Sequence, residues 1–170
     1  MSLPAMQPQN YALELLTEHY LIQCHVEPVG LLMTYLDSPD RANFQIRDAT
    51  LTGLGADSAV HAIKFRELFI MRNEVTAIRV DEADLQGAVP TLRASERVRL
   101  FIPRFVVQGT LTHGEDTRLG DMFEIMKGAW VALHNAQVFP LTAIQAQVFH
   151  EAPLLLVNKN RIRFYESAPG

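Results

Sequence analysis

The sequence predicts a mainly β protein with short helices, an α+β chain made of two tandem repeats. Three observations predict it. The same order of apolar patterns recurs about 86 residues apart, between Tyr11–Val80 and Glu96–Tyr165. Most apolar runs alternate with period two, the signature of half-buried strands. The links between successive runs are short, which favours antiparallel pairing. The first repeat spans 11–80, a linker 81–95 and the second repeat 96–166. Each repeat is expected to be a bent strand, a helix and three antiparallel strands. A unit of about 70 residues has a marginal core, so the two are expected to pack as a pseudo-twofold pair or barrel.

The correspondence can be followed residue by residue. Leu13-Glu14-Leu15-Leu16 lies over Val98-Arg99-Leu100-Phe101, and Tyr20-Leu21-Ile22-Gln23 over Phe105-Val106-Val107-Gln108. Further on, Phe44–Ala49 matches Val131–Ala136, which leaves two extra residues in the second copy near His113–Thr117. Leu68-Phe69-Ile70-Met71 then matches Leu154-Leu155-Leu156-Val157.

The elements follow in order. Arg97–Thr112 reads as one long strand in which alternation at Val98, Leu100 and Ile102 changes phase after Pro103. Proline cannot donate a ladder hydrogen bond, so a bulge is expected there. The first copy reads likewise, from Leu13 and Leu15 to Tyr20, Ile22, Cys24 and Val26. Leu119, Met122, Phe123 and Met126 form one helical face. Asp116 or Thr117 is expected to cap it and Gly128 to end it. Leu32, Tyr35 and Leu36 make a shorter counterpart, stopped at Ser38-Pro39. Strands are expected at Phe44–Ile46 and Trp130–Phe139. Further strands are expected over Ala59–Phe65 with Leu68–Ile70, and over Ala143–Phe149 with Leu154–Val157. After the polar breaks Arg72-Asn73-Glu74 and Asn158-Lys159-Asn160, the chain is expected to continue as strand through Val75–Val80 and Arg161–Tyr165. Met1–Asn10, with two prolines and no periodicity, reads as a loose tail.

Charge narrows the function. The chain carries 15 Lys/Arg against 19 Asp/Glu, a net charge of −4. The first copy holds six basic and nine acidic residues, and the second eight and six. Neither has the dense basic footprint of a nucleic-acid binder. The opposite signs suit copies or subunits that meet head to tail. One cysteine, no apolar leader and no long apolar run point to a cytoplasmic protein with no membrane segment.

No catalytic constellation emerges, and no cofactor or metal is expected. His113, His134 and His150 lack a ligating spacing. Gly53-Leu54-Gly55 reads as a turn and not as a phosphate loop. Cys24, on an apolar strand face, is expected to be a buried, inert thiol. Arg161 and Arg163 on the last strand, with Arg97, Arg99 and Arg104 on the first of the same copy, would form a basic strip if those strands pair. Arg104, His113, Asp116, Arg161 and Arg163 are therefore the candidate binding residues. The expected function is a non-enzymatic binding or assembly module, whose partner is protein through self-association as a homodimer. The alternatives are nucleic-acid binding by a small barrel and a small-molecule site in the crevice between repeats.

Arg118-Leu119-Gly120-Asp121, Val131-Ala132-Leu133-His134-Asn135-Ala136 and Val157-Asn158-Lys159 resemble the motifs of small bacterial domains of unknown function. The first copy departs from them at Leu31-Leu32-Met33-Thr34. Gly109-Thr110-Leu111 followed by Val131-Ala132-Leu133 also resembles the Sm-like small barrel. That resemblance implies a small-barrel fold. It does not bring RNA binding with it, because the Asp and Asn of the Sm-like RNA-binding loop are missing and a helix stands in that loop's place.

Overall fold

Among the described residues, ten strands hydrogen-bond into one antiparallel sheet. The computed structural model describes residues 7–85 and 94–169. Residues 1–6 of the expected tail and 86–93 of the expected linker lie outside them. The first stretch contains β1 (Tyr11–Thr17), β2 (Tyr20–Val26), α1 (Leu32–Asp37), β3 (Asn43–Gly53), β4 (Ile63–Met71) and β5 (Val75–Arg79). The second contains β6 (Ala94–Ile102), β7 (Phe105–His113), α2 (Leu119–Ile125), β8 (Trp130–Pro140), β9 (Glu151–Asn158) and β10 (Phe164–Ser167). The sheet runs β10-β6-β7-β8-β9-β5-β1-β2-β3-β4. It stays open, ending at β10 on one side and β4 on the other, and does not close into the expected barrel.

The expected bent strands are hairpins. Ile102 lies opposite Phe105, so Pro103 and Arg104 are the two central residues of a tight turn. Proline presets the backbone angle of the first, and Arg104 takes the left-handed conformation at φ 67°. The phase change after Pro103 is therefore a reversal of the chain and not a bulge. In the first hairpin the Thr17 hydroxyl accepts from the backbone N–H of His19 at 3.2 Å and of Tyr20 at 2.9 Å. A side chain thus supplies the turn acceptor.

True bulges lie one strand later. Gln23 pairs with Thr50 and His25 with Arg47, so Asp48 and Ala49 together face Cys24. Gln108 pairs with Gln137 and Thr110 with His134, so Asn135 and Ala136 together face Gly109. Asp48 and Asn135 absorb the extra residue in the left-handed region, at φ 47° and 49°.

The helices are short. Neither Asp116 nor Thr117 caps α2, whose N-terminal flank is Arg118 with no side-chain cap. Gly128 lies beyond its end and serves another need. A Cβ there would stand 2.8 Å from the Asp37 carboxylate, whose Oδ1 accepts from Ala129 N–H at 2.9 Å. Ala143–Phe149, expected to be a strand, is a loop joined to β3's exit by the hydrogen bond from Gln145 N–H to the Leu54 carbonyl. Ile63–Met71 is one continuous strand. The polar breaks at Arg72–Glu74 and Lys159–Arg161 are single 3-10 turns. They redirect the chain, so β5 pairs with β1 and β10 with β6. Glu82–Leu85, expected to be linker, is also a 3-10 turn, and it buries Leu85.

Both faces of the central strands are covered. Leu154 and Leu156 of β9 belong to one apolar core and Leu155 and Val157 to another. Leu15 and Leu16 of β1, and Ile78 and Ala77 of β5, divide in the same way. Successive side chains point to opposite faces, so an uninterrupted apolar run is what a doubly covered strand requires. No helix among the described residues is long and apolar enough to cross a membrane.

Candidate functional site

Two features stand out from this scaffold: a groove on the sheet and the two sheet edges. The groove has a volume of 670 Å3 and is lined from β1, β2, β3, the end of β5 and β9. Alternation builds it. Leu13, Leu15, Cys24 and Val80 turn into the core, so their neighbours Glu14, His25, Arg79 and Asp81 face the groove. Glu14 lies opposite both Gln23 and Arg79. Its carboxylate takes Arg79 Nη1 at 2.6 Å and Gln23 Nε2 at 3.3 Å. The bulge puts Asp48 on the rim. Asp81 Oδ1 accepts from Ala83 N–H at 3.0 Å, a bond within its own turn. The Asp84 carboxyl just beyond is pushed up from its ordinary value, first by burial and then by the negative charge of Asp81. His25 Nδ1 is buried and has no hydrogen-bond partner among the described residues.

Cys24 lies beneath the groove and is chemically quiet. Burial pushes its thiol up to about 12, so the nucleophilic thiolate is scarce at neutral pH. Among the described residues no group of three or more His, Cys, Asp or Glu is placed to hold a metal ion.

Each edge exposes apolar side chains among charged ones, with Lys64, Arg66 and Glu67 on β4 and Glu166 on β10. β4 exposes Ile63, Phe69 and Met71, and β10 exposes Phe164 and Tyr165, with Phe69 60% and Phe164 68% exposed. Among the described residues each strand has a sheet neighbour on one side only. The junction inside the chain differs: β9 pairs with β5, with Val157 opposite Ala77, Leu156 opposite Ile78 and Leu155 opposite Arg79. Polar clasps flank that junction. The buried Asn158 donates through Nδ2 to the Val75 carbonyl at 2.9 Å. Trp130 Nε1 donates to the Leu36 carbonyl at 3.0 Å.

The five candidate binding residues fall into separate places, and none of them lines the 670 Å3 groove. Arg104 is in the β6–β7 turn beside Gly55. His113 ends β7, with Nδ1 2.7 Å from the Gly114 carbonyl and Nε2 3.7 Å from Glu96. Asp116 is exposed in the loop before α2. Arg161 and Arg163 converge on Glu18 of the β1–β2 turn, at 3.1 Å and 3.9 Å. The pairing of β6 with β10 does occur, but Arg99 meets Glu166 at 2.6 Å and Arg97 lies against Gln137 at 3.3 Å. The strip of arginines is thus largely matched by acceptors. Sequence reasoning missed Glu14, His25, Asp48, Arg79 and Asp81, which converge only once the register of four strands is known. Comparison with protein-family models, with curated proteins and with solved structures gave no match.

Proposed function

We propose that the chain is a tandem pair of one β-rich unit and acts as a non-enzymatic assembly module, adding copies of itself at its sheet edges. Support for the pair comes from like positions. Each stretch orders its strands fifth-first-second-third-fourth. The left-handed residues Asp48 and Asn135 stand at like bulges. The ion pair Glu14–Arg79 has a counterpart with its charges exchanged, Arg99–Glu166, and each spans 2.6 Å. Register also corrects one stretch of the sequence alignment. Leu68 lies opposite Ile46 and Leu155 opposite Leu133, so Leu68 corresponds to Leu155 and not to Leu154. A twofold pair would join like strands. Here β5 meets β9, so this reading relates the units head to tail.

One observation carries the assembly. The free edges β4 and β10 are the counterparts of β9 and β5, which already pair inside the chain. Repeating that junction between chains sets Tyr165 of one copy opposite Phe69 of the next, and Phe164 opposite Ile70. The acidic first unit then meets the basic second unit. An exposed edge strand, with its unpaired backbone groups and exposed Phe69 or Tyr165, is a template for strand addition. Such a heterologous contact closes into a ring or continues as a fibre, in place of a simple homodimer.

Light scattering after gel filtration, over a range of concentrations, tests this reading. The expected result is a mass above that of one chain, lost in both Phe69→Lys and Tyr165→Lys. In a mixture of Phe69→Cys and Tyr165→Cys proteins, disulfides between unlike chains are expected to dominate. A monomer at every concentration, or crosslinks between like chains only, defeats the proposal.

A further inference from the structure

We propose that the joint between chains is keyed by an ion pair between Glu74 of one copy and Arg104 of the next. This pair rests on the head-to-tail reading and decides which edges join. The joint inside the chain supplies the pattern. There Arg161, from the second stretch, meets Glu18 in the β1–β2 turn at 3.1 Å. The backbone identifies their counterparts. Arg161 ends the 3-10 turn Lys159–Arg161, and Glu74 ends the 3-10 turn Arg72–Glu74. The two turns start on like bonds, from Lys159 N–H to the Ala129 carbonyl at 2.8 Å and from Arg72 N–H to the Ala42 carbonyl at 2.9 Å. Glu18 and His19 form the centre of one hairpin turn, and Pro103 and Arg104 the centre of the other. Laying β4 against β10 as β9 lies against β5 therefore brings Glu74 to the Pro103-Arg104 turn. The sign changes on both sides of the joint at once, so attraction is kept.

Both groups are accessible. Glu74 is exposed and Arg104 half-buried. Among the described residues neither has an ion-pair partner within 4.0 Å, although Asp57 and the Arg104 guanidinium both border Gly55. The joint between chains carries one cation where the inner joint carries two. Arg163 also reaches Glu18, at 3.9 Å, and its counterpart in the first stretch is the uncharged Thr76. The exchange of sign selects partners. Joining two first units in this way would set Glu74 against Glu18, and joining two second units would set Arg161 against Arg104. Like charges facing one another penalise those joints while the unlike pair favours the intended one. An exposed ion pair adds little affinity by itself. Backbone pairing and the exposed Phe69 and Tyr165 hold the edges together, and Glu74 with Arg104 fixes which edges and which register.

Charge reversal and mixing test the pair. Light scattering is measured against concentration at low ionic strength for the wild type, for Glu74→Arg, for Arg104→Glu and for an equal mixture of the two variants. Each variant alone puts like charges at its own joint, so half-assembly should need about tenfold more protein than the wild type needs. In the mixture every joint between unlike chains regains an opposite pair. Half-assembly should then return to within about threefold of the wild type. Recovery on mixing also answers for folding, because two misfolded chains do not complement one another. If the wild type assembles and either single variant assembles as readily, or the mixture recovers nothing, the ion pair is overturned and the edge reading stands on Phe69→Lys and Tyr165→Lys. A wild type that stays monomeric at every concentration overturns both.

Discussion

Cys24 illustrates how one buried group couples to solution conditions. Folding holds its thiol protonated to about pH 12, whereas the unperturbed thiol ionises near 9.0. Its contribution to stability is complete below pH 9.0. Above that, the unfolded chain alone loses its proton, and stability falls by up to about 1.4 kcal/mol per pH unit. Urea unfolding between pH 8 and 11 should therefore lose part of its slope against pH in Cys24→Ala, and the native thiol should resist Ellman's reagent at neutral pH. Rapid labelling of the folded protein would contradict the burial argument. Arg104 is a second local case. A side chain at φ 67° costs about 1 kcal/mol, and glycine avoids that cost while adding freedom to the unfolded chain. Arg104→Gly should raise the urea midpoint by the equivalent of roughly 0.5 kcal/mol without changing the m-value. A lower midpoint would mean that the arginine side chain holds the turn beside Gly55.

Single elements are where sequence pattern and structure part company. The hairpins at Thr17–Tyr20 and Ile102–Phe105 left the same trace as a bulged strand, a phase shift in alternation. Periodicity records which face a residue takes, and not whether the chain has reversed. Pro103 fits both readings, and what separates them is the left-handed Arg104, which composition cannot reveal. The polar breaks at Arg72–Glu74 and Asn158–Asn160 were legible, because polar residues interrupted two apolar runs, although the second turn falls one residue later, at Lys159–Arg161. The groove was not legible. Glu14, His25, Asp48 and Arg79 are ordinary strand residues until pairing stacks them on one face, and a slip of one residue would scatter them. The clasp on β9 was equally hidden, since Asn158 looked like part of a turn. It is buried and satisfies the Val75 carbonyl. Asn158→Leu removes that donor and leaves the carbonyl unpaired, so a loss of about 1–3 kcal/mol is expected in urea unfolding. A change within about 0.5 kcal/mol would show that the β5–β9 pairing needs no such clasp.

At the scale of the whole molecule, the covered faces of β1, β5 and β9 decide how the chain unfolds. Leu16, Leu21, Leu54 and Ala77 from the first stretch lie in the core otherwise formed by residues of the second. Trp130, Leu154 and Leu156 from the second lie in the core of the first. Neither core can be emptied of water-avoiding side chains from the other stretch without opening cavities. Two beads on a string would melt separately, but interlocked cores must melt together. Calorimetry on dilute protein should therefore give one transition whose calorimetric and van't Hoff enthalpies agree. Leu16→Ala should shift that single transition downward by a loss of about 2–5 kcal/mol, although Leu16 belongs to the first stretch and the core it fills is mostly the second's. The same core holds Leu100, Val131 and Leu155. Two resolved transitions, with Leu16→Ala moving only one of them, would mean that the shared cores contribute little and that the stretches are energetically separate.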